Sequence, residues 1–163
     1  MVRSSNTLIK TLTGHTGVVL SLELRDGKLY SGSLDRTIKV WDCSKMTLIV
    51  TLTGHTDTVA QIITSNDGKL YSSSADHTIK IWDCSTYKLI NTIELHEVVA
   101  HLKIHDGKLY GASANYTIKV WDCSDFRWIA TLEGHTNFVH AFHFKNDKLY
   151  SRDETDNIMI WKL

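Results

Sequence analysis

The chain has 163 residues, of which 42% are hydrophobic and 22% charged, a composition typical of a soluble globular protein with a real core. Basic and acidic residues number 18 each, so the chain lacks the basic surplus that nucleic-acid binding requires. It has no apolar run near the ~18 residues of a membrane span, and its start lacks the apolar region of a signal peptide. The composition therefore predicts a protein that binds neither nucleic acid nor a membrane.

The predicted elements begin with an outer strand over Asn6–Leu12. Leucines alternate with polar residues over Val18–Arg25, and this period of two indicates a β-strand. Asp26-Gly27 is a hairpin signal, because glycine accepts the positive φ that such turns need, and Lys28–Ser33 is the return strand. A third strand follows over Thr37–Trp41, which is rich in the β-branched and aromatic residues that strands favour.

This pattern of strands and turns occurs four times along the chain. The stretch Ser31–Ser44, SGSLDRTIKVWDCS, returns at Ser72–Ser85 and Gly111–Ser124, and a shorter copy occupies Ser151–Leu163. The steps between the tryptophans of successive copies are 41, 39 and 40 residues. A period of about 40–45 residues with a Gly-His … Trp-Asp signature is typical of propeller blades with four strands each.

A histidine stands before each copy at a similar distance; the four are His15, His55, His96 and His135. Almost the whole chain resembles the WD-repeat (WD40) β-propeller family, because it combines these histidines with the repeated stretches and their Trp-Asp pairs. The resemblance implies an all-β fold of four four-stranded antiparallel blades. The blades would span 13–52, 53–93, 94–132 and 133–163. Residues 1–12 would supply a lead-in and an outer strand, which blade 4 lacks.

The three cysteines each follow a Trp-Asp pair, at Cys43, Cys84 and Cys123. Equivalent places on successive blades lie too far apart for a disulfide. An odd number without a close pair also argues against a disulfide framework or a zinc site. We expect reduced thiols in a cytoplasmic, intracellular protein with no metal site and no cofactor.

The resemblance also implies that a hydrogen-bonded relay of His, Ser, Asp and Trp ties each blade together. The residues at the relay positions are His15, Ser31, Asp35, Trp41, His55, Ser72, Asp76, Trp82, His96, Asn115, Trp121, His135, Ser151 and Trp161. In blade 3, Gly111 replaces the serine and Asn115 the aspartate. In blade 4, Thr155 stands at the aspartate position, with Asp156 as a possible substitute. The altered sites either hold their loops less firmly or have been reshaped for binding.

The repetition of this residue set argues against catalysis. A catalytic triad needs one nucleophile that its surroundings single out, whereas here the same set recurs in several blades. His101 and His105 lie two alternations apart on one predicted strand, and two histidines on one strand face could start a metal site. His140 and His143 lie on opposite faces of the matching strand in blade 4. No carboxylate or cysteine joins them at a diagnostic spacing, so we expect solvated or channel-lining histidines and no enzyme activity.

In the family, proteins and peptides bind the upper face of the disc around the central channel. The corresponding positions are Val18, Leu20, Leu34, Thr58, Ala60, Ala75, Val98, Ala100, Ala114, Phe138, His140 and Glu154. Phe138 and His140 are the best candidate anchors, because aromatic groups dominate interface energetics. Ordinary packing at loop edges is the competing interpretation.

Four blades make about half of a ring, since WD-repeat rings have about seven or eight. An open half-ring would leave apolar faces and a sheet edge in water. We predict a two-fold homodimer of eight blades, in which Asn6–Leu12 of each chain completes blade 4 of the other. One alternative is a monomeric four-blade ring closed by its own Asn6–Leu12. Another is a fragment of a larger propeller, as in eukaryotic signalling or ubiquitin-ligase adaptor proteins.

The sequence thus predicts a non-catalytic scaffold that associates with itself into a closed propeller and offers a face to a protein or peptide. A purely structural assembly unit, natural or engineered, is the second hypothesis. The bland upper face, mostly small or apolar, favours this second hypothesis.

Overall fold

A computed structural model gives the fold of the chain and describes residues 6–163. The predicted lead-in, residues 1–5, lies outside the described residues. Within residues 6–163 fifteen β-strands form. They are β1 (Val19–Arg25), β2 (Lys28–Ser33), β3 (Ile38–Asp42), β4 (Thr47–Leu52), β5 (Val59–Thr64), β6 (Lys69–Ser74), β7 (Thr78–Asp83), β8 (Leu89–Glu94), β9 (Val99–His105), β10 (Lys108–Ser113), β11 (Ile118–Asp122), β12 (Trp128–Leu132), β13 (Val139–Lys145), β14 (Lys148–Asp153) and β15 (Ile158–Lys162). The described part of the chain contains no helix long and apolar enough to cross a membrane.

The strands form four antiparallel sheets, each made of strands that follow one another along the chain. Blade 1 contains β1–β4, blade 2 contains β5–β8 and blade 3 contains β9–β12. Blade 4 contains β13–β15, so its sheet in the single chain has three strands where the other blades have four. The predicted all-β architecture of propeller blades is therefore confirmed, and the last sheet lacks an outer strand of its own, as the sequence predicts.

The first hairpin of each blade shows how local sequence sets the strand order. Asp26 and Gly27 have φ values of 48° and 71°, the left-handed backbone of a tight two-residue turn. In blade 4 the same turn is made by Asn146 and Asp147, with φ values of 49° and 54°. Asn and Asp tolerate this conformation better than other non-glycine residues, so the turn survives the loss of glycine.

Successive blades meet at apolar interfaces, which we call seams. Each seam packs the later strands of one blade against the first two strands and the tryptophan of the next. The first seam buries Tyr30, Ile38, Val40, Leu52, Val59, Ile62, Leu70 and Trp82. The second buries Tyr71, Ile79, Ile81, Val99, Leu102, Leu109, Trp121 and Cys123. The third buries Tyr110, Ala112, Ile118, Val120, Val139, Phe142 and Leu149.

The segment 6–12, predicted as an outer strand, pairs with no strand in the single chain. Leu8 and Ile9 are largely exposed. The segment nevertheless runs beside blade 1, where Ile9 and Leu12 line a shallow cleft with Trp41, Cys43 and Met46. Because segment 6–12 does not pair with β15, this chain does not close a four-blade ring on itself, and the monomeric-ring alternative is wrong for this structure.

Candidate functional site

The polar relay is built fully in blades 1 and 2. In blade 2, His55 Nδ1 lies 2.8 Å from Asp76 Oδ2, and His55 Nε2 lies 2.8 Å from Ser72 Oγ. Trp82 Nε1 donates to the same hydroxyl at 2.9 Å. In blade 1 the corresponding distances are 2.7, 2.8 and 2.9 Å, among His15, Asp35, Ser31 and Trp41. The structure thus brings together all eight residues at the relay positions of these two blades.

Burial shapes the chemistry of the blade 2 relay. Burial alone would raise the pKa of Asp76, but hydrogen bonds from Thr78, from the Thr56 amide and from His55 outweigh it and lower the pKa to about 2. Burial lowers the pKa of His55, against the opposing effect of Asp76. Ser72 is completely buried, so its hydroxyl cannot reach a substrate. The relay is therefore suited to holding the loop before β5 in place and not to nucleophilic catalysis.

Blade 4 also has a relay, but its carboxylate is not the one predicted. His135 Nδ1 lies 2.8 Å from Asp153 Oδ2, and His135 Nε2 lies 2.7 Å from Ser151 Oγ. Thr155, at the predicted aspartate position, donates its hydroxyl to Asp153 at 2.7 Å. Asp156, the predicted substitute, accepts a hydrogen bond from Arg152. The expectation that Asp156 substitutes for the relay aspartate is therefore wrong, and Asp153 takes that role.

Asp153 comes two residues after the relay serine, whereas Asp35 comes four residues after Ser31, so the spacing of the repeats does not point to it. Asp153 is the last residue of β14 and is completely buried. The hydrogen bond with His135 is the main cause of its lowered pKa. Trp161 Nε1 completes the relay by donating to Ser151 Oγ at 2.8 Å. A carboxylate that shifts by two places along the strand leaves no signal in the repeat alignment.

Blade 3 has no relay. His96 is exposed, and Asn115 donates instead to Glu97 Oε1 at 3.2 Å. A Cβ at Gly111 would lie 2.6 Å from Val99 Cγ1 and 2.9 Å from the Trp121 ring. The neighbours have therefore closed over the place where the other blades keep a serine, and blade 3 holds its loop with fewer polar contacts.

Some residues of the predicted binding face meet in a cleft on one side of the array, between blades 3 and 4. Phe138 is exposed, and its ring meets that of Tyr116 edge to face at a centroid distance of 5.2 Å. His140 Nε2 lies 3.0 Å from Glu154 Oε1. The other predicted residues that line this cleft are Val98, Ala100 and Ala114. Tyr116 was missed, because a residue inside a tight turn carries no periodic signal.

The remaining predicted face residues lie elsewhere. Val18, Leu20 and Leu34 are exposed on blade 1, and Thr58, Ala60 and Ala75 are partly buried on blade 2. Among the histidines proposed to line the channel, His101 bonds to Gln61 and His105 stacks on Phe144. No group of three or more His, Cys, Asp or Glu side chains suited to a metal ion occurs among residues 6–163.

The two outer blades expose the same side chains that the seams bury. Leu22 on blade 1 is 62% exposed, whereas its counterpart Ile62 on blade 2 is 2% exposed. Ile160 on blade 4 is 61% exposed, whereas its counterpart Ile81 is completely buried. We call the outward side of blade 1 the first end face; it carries Val19, Leu22 and Leu29. We call the outward side of blade 4 the last end face; it carries Tyr150, Ile158 and Ile160.

The repeats match a known family. The family model described as "WD domain, G-beta repeat" matches residues 6–42 and 46–83. The crystal structure of the WD40 β-propeller domain of Doa1 superposes with a TM-score of 0.78 and 34% identity, over 94% of this chain and 52% of that chain. The first two blades of the chain are thus WD repeats, and the fold is that of a WD40 propeller. The predicted resemblance is confirmed, and WD-repeat propellers generally serve as protein-interaction scaffolds.

Two further relatives of this WD-repeat array differ greatly in length. Mitochondrial division protein 1 of Neurospora crassa is 54% identical over 37 residues, which are 23% of this chain and 6% of that protein. The computationally designed Ika4 protein superposes with a TM-score of 0.87 and 26% identity, over 98% of this chain and 99% of that chain. This chain therefore spans a small part of the fungal protein, about half of the Doa1 chain, and nearly the whole of Ika4.

Proposed function

We propose that this chain is a non-catalytic WD-repeat scaffold that joins head to tail with a second copy into a closed ring of eight blades. The proposal rests on exposure at the two ends of the array: Leu22 and Ile160 are exposed, whereas Ile62 and Ile81 at the same repeat positions are buried in seams. A large apolar surface that is buried in three seams and bare at two ends marks an interaction site.

The two end faces are complementary halves of a seam. In the first seam, Tyr30, Ile38 and Val40 of one blade pack on Val59 and Ile62 of the next. The last end face carries Tyr150, Ile158 and Ile160, which correspond to Tyr30, Ile38 and Val40. The first end face carries Val19 and Leu22, which correspond to Val59 and Ile62. A seam between copies would therefore repeat the packing that each chain already contains three times.

The segment 6–12 fits the same arrangement. In the first seam, Val50 and Leu52 of the outer strand β4 belong to the same apolar cluster as Cys84 and Tyr87 of blade 2. The segment 6–12 lies in the corresponding place beside Cys43 and Met46 of blade 1, although it has no sheet to join. The free edge of β15 in a second copy would supply that sheet, and the added strand would cover an edge prone to uncontrolled pairing.

Solution mass tests this proposal. At micromolar concentration we expect the protein to have twice the 18.5 kDa mass of one chain, measured by light scattering after gel filtration. Leu22→Glu places a charge in the proposed seam and should give the monomer mass. Leu48→Glu is the matched control, because Leu48 is also exposed but lies on the outer strand β4. A wild-type monomer, or a mass unlike a dimer, contradicts the eight-blade ring.

We further propose that the cleft between blades 3 and 4 holds the apolar part of a peptide against Phe138 and Tyr116. An exposed aromatic pair beside the contact between His140 and Glu154 offers both the anchor and the polar rim of an interface. Peptides selected on the protein from a random library should lose at least about tenfold in affinity with Phe138→Ala. Trp128→Ala, at an exposed aromatic on β12, should leave affinity unchanged. Equal losses would contradict this placement.

A further inference from the structure

The first seam contains a polar clamp in addition to its apolar packing. Lys28 Nζ donates to the carbonyl oxygen of Cys84 across the seam at 3.2 Å. The same ammonium group lies 4.9 Å from the ring centroid of Tyr87, within range of a cation–π interaction. Tyr30 is buried beside the Cys84 thiol, and its pKa is raised, first by burial and then by that thiol. One blade thus contributes a lysine and a tyrosine, and the next contributes a cysteine and an aromatic residue.

The second seam repeats part of this clamp with the next set of residues, although the Lys69 ammonium pairs with Asp67 of its own blade and not with a carbonyl across the seam. Lys69 Nζ lies 5.8 Å from the ring centroid of Phe126. The rings of Tyr71 and Phe126 meet edge to face with a centroid distance of 6.5 Å. Tyr71 is buried beside Cys123. The cation–π contact and the tyrosine beside the thiol therefore recur in both seams, whereas the lysine–carbonyl hydrogen bond belongs to the first seam.

The third seam lacks the cysteine half of the clamp. Blade 3 carries Lys108 and Tyr110 at the lysine and tyrosine positions, but Leu163 stands at the cysteine position of blade 4. This seam contains the lysine and the tyrosine without the thiol, so substitutions in it are matched controls for the labelling of Cys43.

The ends of the array carry most of a further clamp: a lysine and a tyrosine on blade 4, and on blade 1 a cysteine with Met46 at the position of the aromatic residue. On blade 4, Tyr150 stands opposite Ile160 in the same register as Tyr30 opposite Val40. Lys148 is exposed and Tyr150 is partly exposed, whereas Tyr30 is buried.

The cysteine half lies on blade 1 with the backbone geometry of its buried counterparts. The Cys43 amide donates to the carbonyl oxygen of Gly27 at 2.9 Å, as that of Cys84 does to Gly68. Met46 has a φ of 55°, close to the 60° of Tyr87. Cys43 is exposed, whereas Cys84 is partly buried. The turn is thus already shaped to receive a lysine and a tyrosine.

We infer that Lys148 and Tyr150 of one copy close on Cys43 and Met46 of the next, so that a split clamp completes the seam between copies. The inference rests on the proposed ring. The Lys148 ammonium would donate to the Cys43 carbonyl, as Lys28 does to Cys84. The Met46 sulfur would meet the Tyr150 ring, a contact that thioethers make favourably with aromatics. Association would then cover the Cys43 thiol, while the surroundings of Cys84 and Cys123 come from within the chain.

Thiol alkylation with site-resolved mass spectrometry tests this inference on the whole chain. Iodoacetamide should modify Cys43 at least about tenfold more slowly in the wild-type protein than in the Leu22→Glu variant, because covered thiols react slowly. The mass of each sample is measured before labelling. The rates of Cys84 and Cys123 should be equal in the two proteins, which also verifies that both are folded.

Single substitutions then test the clamp residues. Lys148→Met removes the proposed donor to the Cys43 carbonyl, and Tyr150→Phe removes the hydroxyl that would lie beside the Cys43 thiol. Each should weaken association by up to about tenfold, the size expected for one lost hydrogen bond, and should speed the labelling of Cys43. Lys108→Met and Tyr110→Phe, the same changes in the thiol-free third seam, should leave the Cys43 rate unchanged. A dimer in which Cys43 reacts as fast as in the monomer overturns the clamp and leaves the ring standing. A wild-type monomer overturns the ring, and the clamp with it.

Discussion

The first end face and the first seam contain the same kind of surface in two different surroundings. Val19 and Leu22 on blade 1 repeat Val59 and Ile62 on blade 2, yet the first pair is exposed and the second pair is buried. The strands that carry them have the same pairing and the same irregularity after the valine. The difference shows that burial in a repeat array is decided by the presence of a neighbouring blade. The end faces therefore make good variants for testing association, and the seams for testing stability.

The largest effect is expected from substitutions that compare the first seam with the first end face. Ile62→Ala should lower the free energy of unfolding by about 2–5 kcal/mol, because it leaves a cavity in a closed seam. Chemical denaturation should show this loss at every protein concentration. Leu22→Ala should lower stability only at concentrations where the copies associate, since stability gained from a partner depends on its concentration. Equal, concentration-independent losses for the two variants would contradict the assignment of Leu22 to an interface between copies.

A smaller effect should separate blade 2, which has a relay, from blade 3, which has none. Ser72→Ala removes the hydroxyl that binds both His55 and Trp82. Leaving these buried groups unpaired should cost about 1–3 kcal/mol of unfolding free energy. Asn115→Ala in blade 3 removes exposed hydrogen bonds to Glu97 and within its own turn, and should cost less than about 1 kcal/mol. If the two losses measured by thermal unfolding are equal, the relay does not stabilise blade 2 more than ordinary turn contacts stabilise blade 3.

The smallest expected effect is a pH dependence that comes from the relay of blade 2. The pKa of His55 is lowered by burial, so the unfolded chain binds the proton more readily than the folded one. The contribution of neutral, buried His55 to the free energy of unfolding should be complete above its ordinary pKa of 6.5 and should decline as the pH falls below that value. The carboxylate of Asp76 should add a separate loss, only between its ordinary pKa of 3.8 and about 2.

Melting temperatures measured from pH 8 to pH 5 check the histidine part of this prediction. His55→Gln should flatten the decline below pH 6.5, whereas His96→Gln, at an exposed histidine of blade 3, should leave it unchanged. A decline that persists in His55→Gln would assign the pH dependence to another group.

The candidate sites show where sequence reasoning succeeds and where it stops. The relay residues of blades 1 and 2 meet in space because their spacing is the same in both copies. Asp153 could not be found this way, since its place on β14 differs from that of Asp35. The aromatic pair of Phe138 and Tyr116 also depends on two turns of different blades coming together, and no local pattern records that contact.

The sequence by itself determined the blades, because strand alternation, turn residues and the period of about 40 residues are local properties that recur along the chain. It also determined which side chains a seam requires, since every blade carries the same apolar positions. Only the tertiary structure decided which of these positions are covered. Burial depends on the neighbouring blade, so Ile62 is part of the core whereas Leu22 is exposed. For the same reason Cys43 is exposed, although its turn has the backbone geometry of the turns that hold Cys84 and Cys123.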